Sequence, residues 1–239
     1  MQQTRDCRFS VVVPVWQEQE RVNEMIRHMR SVAAGKRCEI IIVDGDSAGS
    51  TIEAVADSDV VTMTADKGRG SQMNAGAAAA RGEAVLFLHA DTRLPAGAFD
   101  TIQEVLKDES IVGGAFDLGI ESERLSLRCI AALARIRSRV TRVPYGDQAI
   151  FIRRAYFESI GGYDDIPLME DVALMLRIRR KGHKICILRD RVETSPRRWE
   201  KEGVVHATLR HIVLRNLYRF GVSPERLAGH YKDNVSKEA

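Results

Sequence analysis

Short unbroken apolar runs and longer segments of helical spacing take turns along the first half of this chain. Residues 9–13 (FSVVV), 39–43 (EIIIV), 59–63 (DVVTM) and 84–88 (AVLFL) each read as a buried strand, the first stopped by Pro14. Between them, residues 18–34, closed by Gly35, and the alanine-rich stretch 71–81 read as helices. Continuous β-branched runs alternating with helices predict βαβ units, and hence a parallel sheet covered on both faces. The expected fold class is α/β, a mostly parallel central sheet flanked by helices, with further helices at the C-terminal end.

After Pro95 and one more helix the rhythm changes. Residues 111–120 (IVGGAFDLGI) are strand-like but glycine-interrupted, which suggests a bent, antiparallel strand. Residues 125–140 predict an amphipathic helix with Arg128, Arg135, Arg137 and Arg139 on its polar sides. Strands are expected over 148–152 and 184–188, with a helix over 170–181 between them. In 204–220 the apolar positions Val205, Leu209, Ile212, Val213, Leu217 and Phe220 have helical spacing. The amphipathic segments 125–142 and 204–220 could dock on an anionic membrane surface, or pack on the sheet and pair subunits into a homodimer; their stripes resemble ordinary core-facing ones, which favours packing.

Length changes the picture little: 239 residues suit one main domain, residues 1–200, with a helical extension over 201–239. The four cysteines, Cys7, Cys38, Cys129 and Cys186, have no metal-type spacing and read as reduced thiols. The first eight residues are polar and no apolar run is long enough to span a bilayer, so the expectation is a cytoplasmic protein, with peripheral contact at the inner membrane face as its one membrane option. Charge matters more. Residues 1–120 hold 12 Lys/Arg against 18 Asp/Glu, whereas residues 121–239 hold 24 against 15. The basic second half suits an anionic partner, although a solvated basic face explains many of these arginines as well.

Candidate chemistry gathers where strands end, because ligands of open parallel sheets bind beyond the carboxyl ends of the strands. The first strand runs into Pro14-Val15-Trp16-Gln17-Glu18 and the second into Asp44-Gly45-Asp46-Ser47. Lys67-Gly68-Arg69-Gly70-Ser71 follows the third, and His89-Ala90-Asp91-Thr92 the fourth. Each alone is an ordinary turn; their convergence on one edge is the signal. A nucleoside diphosphate needs a divalent cation held by one or two carboxylates, and Asp91 emerges suitably from a buried strand. Lys67 and Arg69 add positive charge, and Glu18 and Asp44 could accept hydrogen bonds from a base or ribose.

In order along the chain, VVVPVWQEQE, VDGDS, KGRGSQMNAG, FLHADT, YGDQAIFIRR, GGYDDIPLMEDVAL and RRW resemble the motifs of family 2 glycosyltransferases with the GT-A fold, a Rossmann-like architecture. The resemblance covers roughly residues 8 to 200. It implies an inverting enzyme that moves a sugar from a nucleotide-diphosphate sugar, most often UDP-linked, to a small-molecule or lipid acceptor, with a divalent metal ion (Mn2+ or Mg2+) as cofactor. By this resemblance Pro14, Glu18, Asp44, Lys67, Arg69, Asp91, Arg198 and Trp199 would bind the donor, and Asp91 would hold the metal. Glu170-Asp171 resembles the family's acidic pair, with Asp171 as general base and Glu170 as the other candidate; carboxylates at a helix N-terminus also have a purely electrostatic explanation. Gly161-Gly162-Tyr163-Asp164-Asp165 looks like a mobile turn leading to that pair. Asp147 and Gln148 would face the acceptor.

Two departures stand out. His89 occupies the first position of the Asp-x-Asp metal motif, as either a metal ligand or a sugar-contacting residue, and His206 is a conceivable later ligand. Ser195 stands where processive members carry glutamine three residues before Arg198, which favours a single transfer. FLHADT, GDQAIF and SPRRW further resemble a bacterial subgroup associated with arsenosugar biosynthesis or radical-SAM and selenium proteins, implying a small-molecule acceptor. Three other readings compete. A non-catalytic nucleotide-sugar-binding protein draws its support from His89. A nucleotidylyltransferase would carry its glycine-rich loop after strand one, not strand three. Nucleic-acid binding lacks a recognition motif.

Overall fold

The computed structural model describes residues 8–229. An eight-stranded mixed sheet runs through it in the order β3-β2-β1-β4-β7-β6-β8-β5. Its first four members are β1 (Phe9–Val15), β2 (Cys38–Asp44), β3 (Val61–Thr64) and β4 (Ala84–Phe87), all parallel. β1 lies at the centre of this half because helices cover both of its faces. Val11, Val13, Ile40 and Ile42 point into one core with Phe99, while Val12, Ile41 and Val43 point into the other with Met73 and Phe87. That two-sided burial is why these strands are unbroken β-branched runs.

Helix α1 (Val22–Val32) buries Val22, Met25, Ile26 and Met29, the i, i+3, i+4, i+7 stripe of a helix laid on a sheet. It starts later than residue 18, because Gln17 is held at φ +55° and Glu18 begins a turn whose carbonyl receives the N–H groups of Arg21 and Val22. Helix α2 (Arg69–Ala79) lies on the opposite face. Its Gly76 is a packing requirement: an added Cβ would collide with Val12 and stand 2.9 Å from Val43 Cγ2. Helix α3 (Ala98–Val105) then leads to the second half of the sheet.

β6 (Ile111–Ile120) pairs antiparallel with β7 (Ile150–Arg153) but parallel with β8 (Lys184–Thr194), and irregular registers at its glycines and at Ala115–Asp117 bend it. β8 runs six residues beyond the expected strand and ends against a two-residue strand, β5 (Thr92–Arg93), which the pattern had not indicated. Helices α4 (Leu125–Thr141), α6 (Glu170–Arg180) and α8 (Val204–Arg219) stand close to their expected bounds; α5 (Arg154–Ser159) and α7 (Arg197–Glu202) are short and were not foreseen.

The stripe that revealed α8 does not face the core. Val205, Leu209, Ile212, Val213, Leu217 and Phe220 are exposed, and Ala207, Arg210 and Leu214 are buried instead. The expectation that these apolar faces are core-facing is therefore corrected for both α8 and α4: each buries a single leucine, Leu214 or Leu127, beside smaller or polar residues, Ala131 and Ser138 in α4. Among the described residues no helix is long and apolar enough to cross a membrane. Cys129 and Cys186 are free thiols, and Cys7 lies outside the described residues.

Candidate active site

The chain builds outward from β1 to β2 and β3, then returns to place β4 on the other side of β1. Strand order reverses there, and an open cleft of about 360 Å³ lies at the carboxyl ends of those strands. The end of β1 contributes Pro14 and the segment after it Trp16 and Glu18, that after β4 contributes His89 and Asp91, and α2 contributes Arg69 from its first turn. The far wall comes from distant sequence: Tyr145 and Asp147, Glu170 and Asp171, Ser195, Arg198 and Trp199, and His211 and Arg215 of α8.

Four expected residues lie elsewhere. Asp44 is buried, and its two oxygens accept the backbone N–H groups of Asp46 and Thr51, both at 2.9 Å, so it shapes the loop after β2. Lys67 stacks its ammonium 3.6 Å from the centre of the Trp16 ring, reaching the cleft only through that side chain. Gln148 is fully buried: Oε1 receives Ser138 Oγ at 2.6 Å, Arg137 at 3.1 Å and the Tyr145 N–H at 3.2 Å, while its Nε2 donates to Phe116 O at 2.9 Å. His206 is exposed on α8, outside the cleft.

On the wall at the ends of β1 and β4, Arg197 links two of the gathered carboxylates, with Nη2 3.3 Å from Glu18 Oε1 and 3.4 Å from Asp91 Oδ2. Burial raises the Glu18 carboxyl, Arg21 opposes this, and Asp91 pushes in the same direction as burial. His89 is held well below the usual histidine range by burial and by the positive charge of Arg69 and Arg198, so it stands as a neutral imidazole. Its ring presses on Gly146, where an added Cβ would stand 2.8 Å from Nε2. His211 is pushed down to about 4, again by burial first and then by Arg198 and Arg210, and its Nε2 meets Arg198 Nη1 at 3.1 Å. A neutral His211 thus accepts from Arg198 and aims the guanidinium at the cleft.

The acidic wall is built with backbone strain. Met169 adopts φ +69° ahead of α6, a conformation non-glycine residues rarely hold, and the two carboxylates follow immediately. Asp171 Oδ1 receives the Val172 N–H at 2.7 Å, and Oδ2 the Gly146 N–H at 2.6 Å. Glu170 is buried and raised to about 7, by desolvation first and by Asp171 second, against the pull of Arg69. Asp147 is raised to about 6, mainly by burial, and its Oδ1 is closed off without a hydrogen-bond partner. The turn ahead of this wall is tied down: Asn74 exchanges two hydrogen bonds with the Tyr163 backbone, at 2.9 and 2.8 Å, and Arg177 donates to the carbonyls of Ile160 and Gly162.

Several lining residues carry no sequence signal. Gln72, buried in α2, donates at 2.8 Å to both Val15 O and Val43 O, closing the ends of β1 and β2 under the cleft. His211, Arg215 and Tyr145 join the cleft only through tertiary packing.

A sequence profile described as glycosyl transferase family 2 matches residues 10–160, more than half of the chain. The chain belongs to glycosyl transferase family 2. The chain is similar to a protein named probable glycosyltransferase YdaM from Bacillus subtilis, 25% identical over 220 residues that cover 81% of this chain and 52% of that one. A dolichol-phosphate mannosyltransferase of Pyrococcus furiosus is 27% identical over 109 residues, 43% of this chain and 31% of its own. The chain thus spans about half the length of one curated relative and a third of the other. The fold matches mannosyltransferase PcManGT from Pyrobaculum calidifontis, solved with GDP-Man and Mn2+, at TM-score 0.64 and 18% identity, covering 93% of this chain and 67% of that one. It also matches S. aureus TarS 1–349 in complex with UDP, at TM-score 0.59 and 16% identity, over 79% of this chain and 60% of that one. This family 2 chain therefore has the GT-A fold expected from its motifs.

Proposed function

We propose that the chain transfers a sugar from a nucleotide-diphosphate sugar to a hydroxyl acceptor, with inversion at the anomeric carbon. One observation carries the reading: residues from seven separate segments, among them Glu18, Arg69, Asp91, Asp147, Asp171 and Arg198, line a single cleft at the strand-order reversal. Donor contacts fall to the β1 and β4 ends and to Arg69, and the acceptor enters on the Asp147 and Asp171 side.

In the reaction the acceptor oxygen attacks the anomeric carbon as the bond to the diphosphate oxygen breaks. The leaving diphosphate takes the bonding electrons, and Asp171 takes the acceptor proton. Asp171 suits this role because two backbone N–H groups orient it at the cleft wall. Arg69 and Arg198 lie where negative charge grows on the diphosphate, and Trp199 offers a flat face to a sugar. Glu18 is available to the nucleoside once Arg197 shifts.

The cleft offers a divalent ion few side-chain ligands. Among the described residues no cluster of three or more His, Cys, Asp or Glu side chains could hold a metal. Asp91 would hold Mn2+ or Mg2+, neutral His89 being a second donor of a kind that favours Mn2+, with diphosphate oxygens completing the coordination. When bound, the ion would supply positive charge to the leaving group. UDP is the nucleotide the family resemblance favours, the subgroup resemblance favours a small-molecule acceptor, and Ser195 in place of the processive glutamine favours single transfer.

Thermal melts with a panel of nucleoside diphosphates, in Mn2+, Mg2+ or chelator, test the donor site without knowing the acceptor. The expected result is a metal-dependent rise in melting temperature with one nucleotide, lost in Asp91→Ala. The absence of any rise across the panel would overturn the reading and leave a scaffold role.

A further inference from the structure

Helices α4 and α8 pack against one another, and each turns an uncovered apolar face to solvent. On α4, Leu125, Leu133, Ile136 and Val140 are 75%, 66%, 60% and 78% exposed, and Cys129 is exposed among them. Their spacing of three and four residues places all five in one stripe along the helix. On α8, Val205, Leu209, Ile212, Val213 and Phe220 repeat the arrangement, with Phe220 at 87% exposure. Single exposed apolar residues are ordinary, but two such stripes on neighbouring helices mark an interaction surface.

Charge identifies the partner. The two helices together carry seven arginines and no aspartate or glutamate. Two of these, Arg139 and Arg210, pair with Asp117 and Glu202 outside the helices, while Arg128 and Arg219 stand exposed beside the stripes. A second copy of the chain meeting this face through its own α4 and α8 would bring arginine against arginine, with no carboxylate on either helix to offset them. An anionic lipid surface satisfies both features: apolar side chains enter the boundary between headgroups and acyl chains, and arginines meet lipid phosphates.

We propose that α4 and α8 form a docking face for an anionic membrane surface. The opposite side of α8 supplies His211, Leu214 and Arg215 to the cleft, so docking holds the cleft one helix away from the bilayer. The proposal rests on the outer face alone and is read without any transfer assay.

The test is flotation of the full chain with phosphatidylcholine vesicles, with and without phosphatidylglycerol. The chain should float with the anionic vesicles and about tenfold less with the neutral ones. Leu133→Glu combined with Val213→Glu should reduce flotation by about tenfold or more while retaining a cooperative melt, since both positions are exposed. Should that variant fail to fold, Arg128→Glu with Arg219→Glu must abolish the preference for anionic lipid. Equal flotation of folded variants and wild type, or no flotation of the wild type, would overturn the proposal. So would a dimer in light scattering that the first variant splits, with no vesicle binding, which would assign the face to a second copy.

Discussion

Asp147, Glu170 and Asp171 share one wall of the cleft, and their surroundings make them chemically unequal. Asp171 is oriented by two N–H groups, whereas Glu170 and Asp147 are pushed up to about 7 and about 6 by burial. Asp171→Asn removes the proton acceptor, so turnover should fall about 10²- to 10⁴-fold; its amide nitrogen cannot accept the second N–H, so the melting temperature should also fall modestly. Initial rates with the nucleotide sugar identified by the binding panel check this. Glu170 leads to a pH dependence of stability. Between 4.5 and about 7 the folded chain keeps a proton that the unfolded chain releases, so this group's contribution is full below 4.5 and is lost as pH rises through 7. The loss is on the order of 3 kcal/mol. Calorimetry should therefore find Glu170→Gln melting above the wild type at about pH 8 and much closer to it at about pH 5. Asp171 and Asp91 were legible in the sequence because each stands at an element boundary, where side chains meet a ligand edge. Gln72 was not, since nothing in a mid-helix glutamine tells that two strand carbonyls lie within its reach.

At the scale of elements, the strands of the first half were legible because burial on both faces leaves only apolar residues in them. β8 was legible for half its length. Beyond Leu188 it carries Arg189, Asp190 and Arg191, three exposed positions that read as a loop until β6 is seen beside them. The short helices α5 and α7 are below the length at which a periodic pattern can be recognised. α2 offers the sharpest test of packing: it sits so close to β1 and β2 that Gly76→Ala has no room beside Val12 and Val43. Substitution should cost about 1–3 kcal/mol, seen as a lower denaturation midpoint with unchanged slope. α8 shows the converse limit, because apolar spacing announces a helix without saying which of its sides another element will cover.

Across the whole molecule, the cleft joins the parallel half of the sheet to walls contributed by α6, α7 and α8. A donor bound there would tie the two halves together in the folded state only. At a hundred times its dissociation constant the nucleotide should add about 2.7 kcal/mol of stability, and the shift should shrink on chelation. Denaturant unfolding at fixed nucleotide concentration measures it. The uneven charge of the chain takes on meaning at this scale too. Acidic residues of the first half and an arginine of the second meet beside the cleft, where Arg197 pairs with Glu18 and Asp91, while α4 and α8 carry arginines to the outer surface.

The sequence by itself determined the α/β class, the strand ends that carry polar residues, and the order of motifs that identify the family. These follow from local rules: burial on two faces demands apolar runs, and chain reversal at a ligand edge demands glycines and polar side chains. Only the tertiary structure decided that Asp44 and Gln148 serve the scaffold, that His211 aims Arg198, and that the stripes of α4 and α8 face outward. Each of those depends on which distant segment lies alongside, and spacing along the chain holds no record of that.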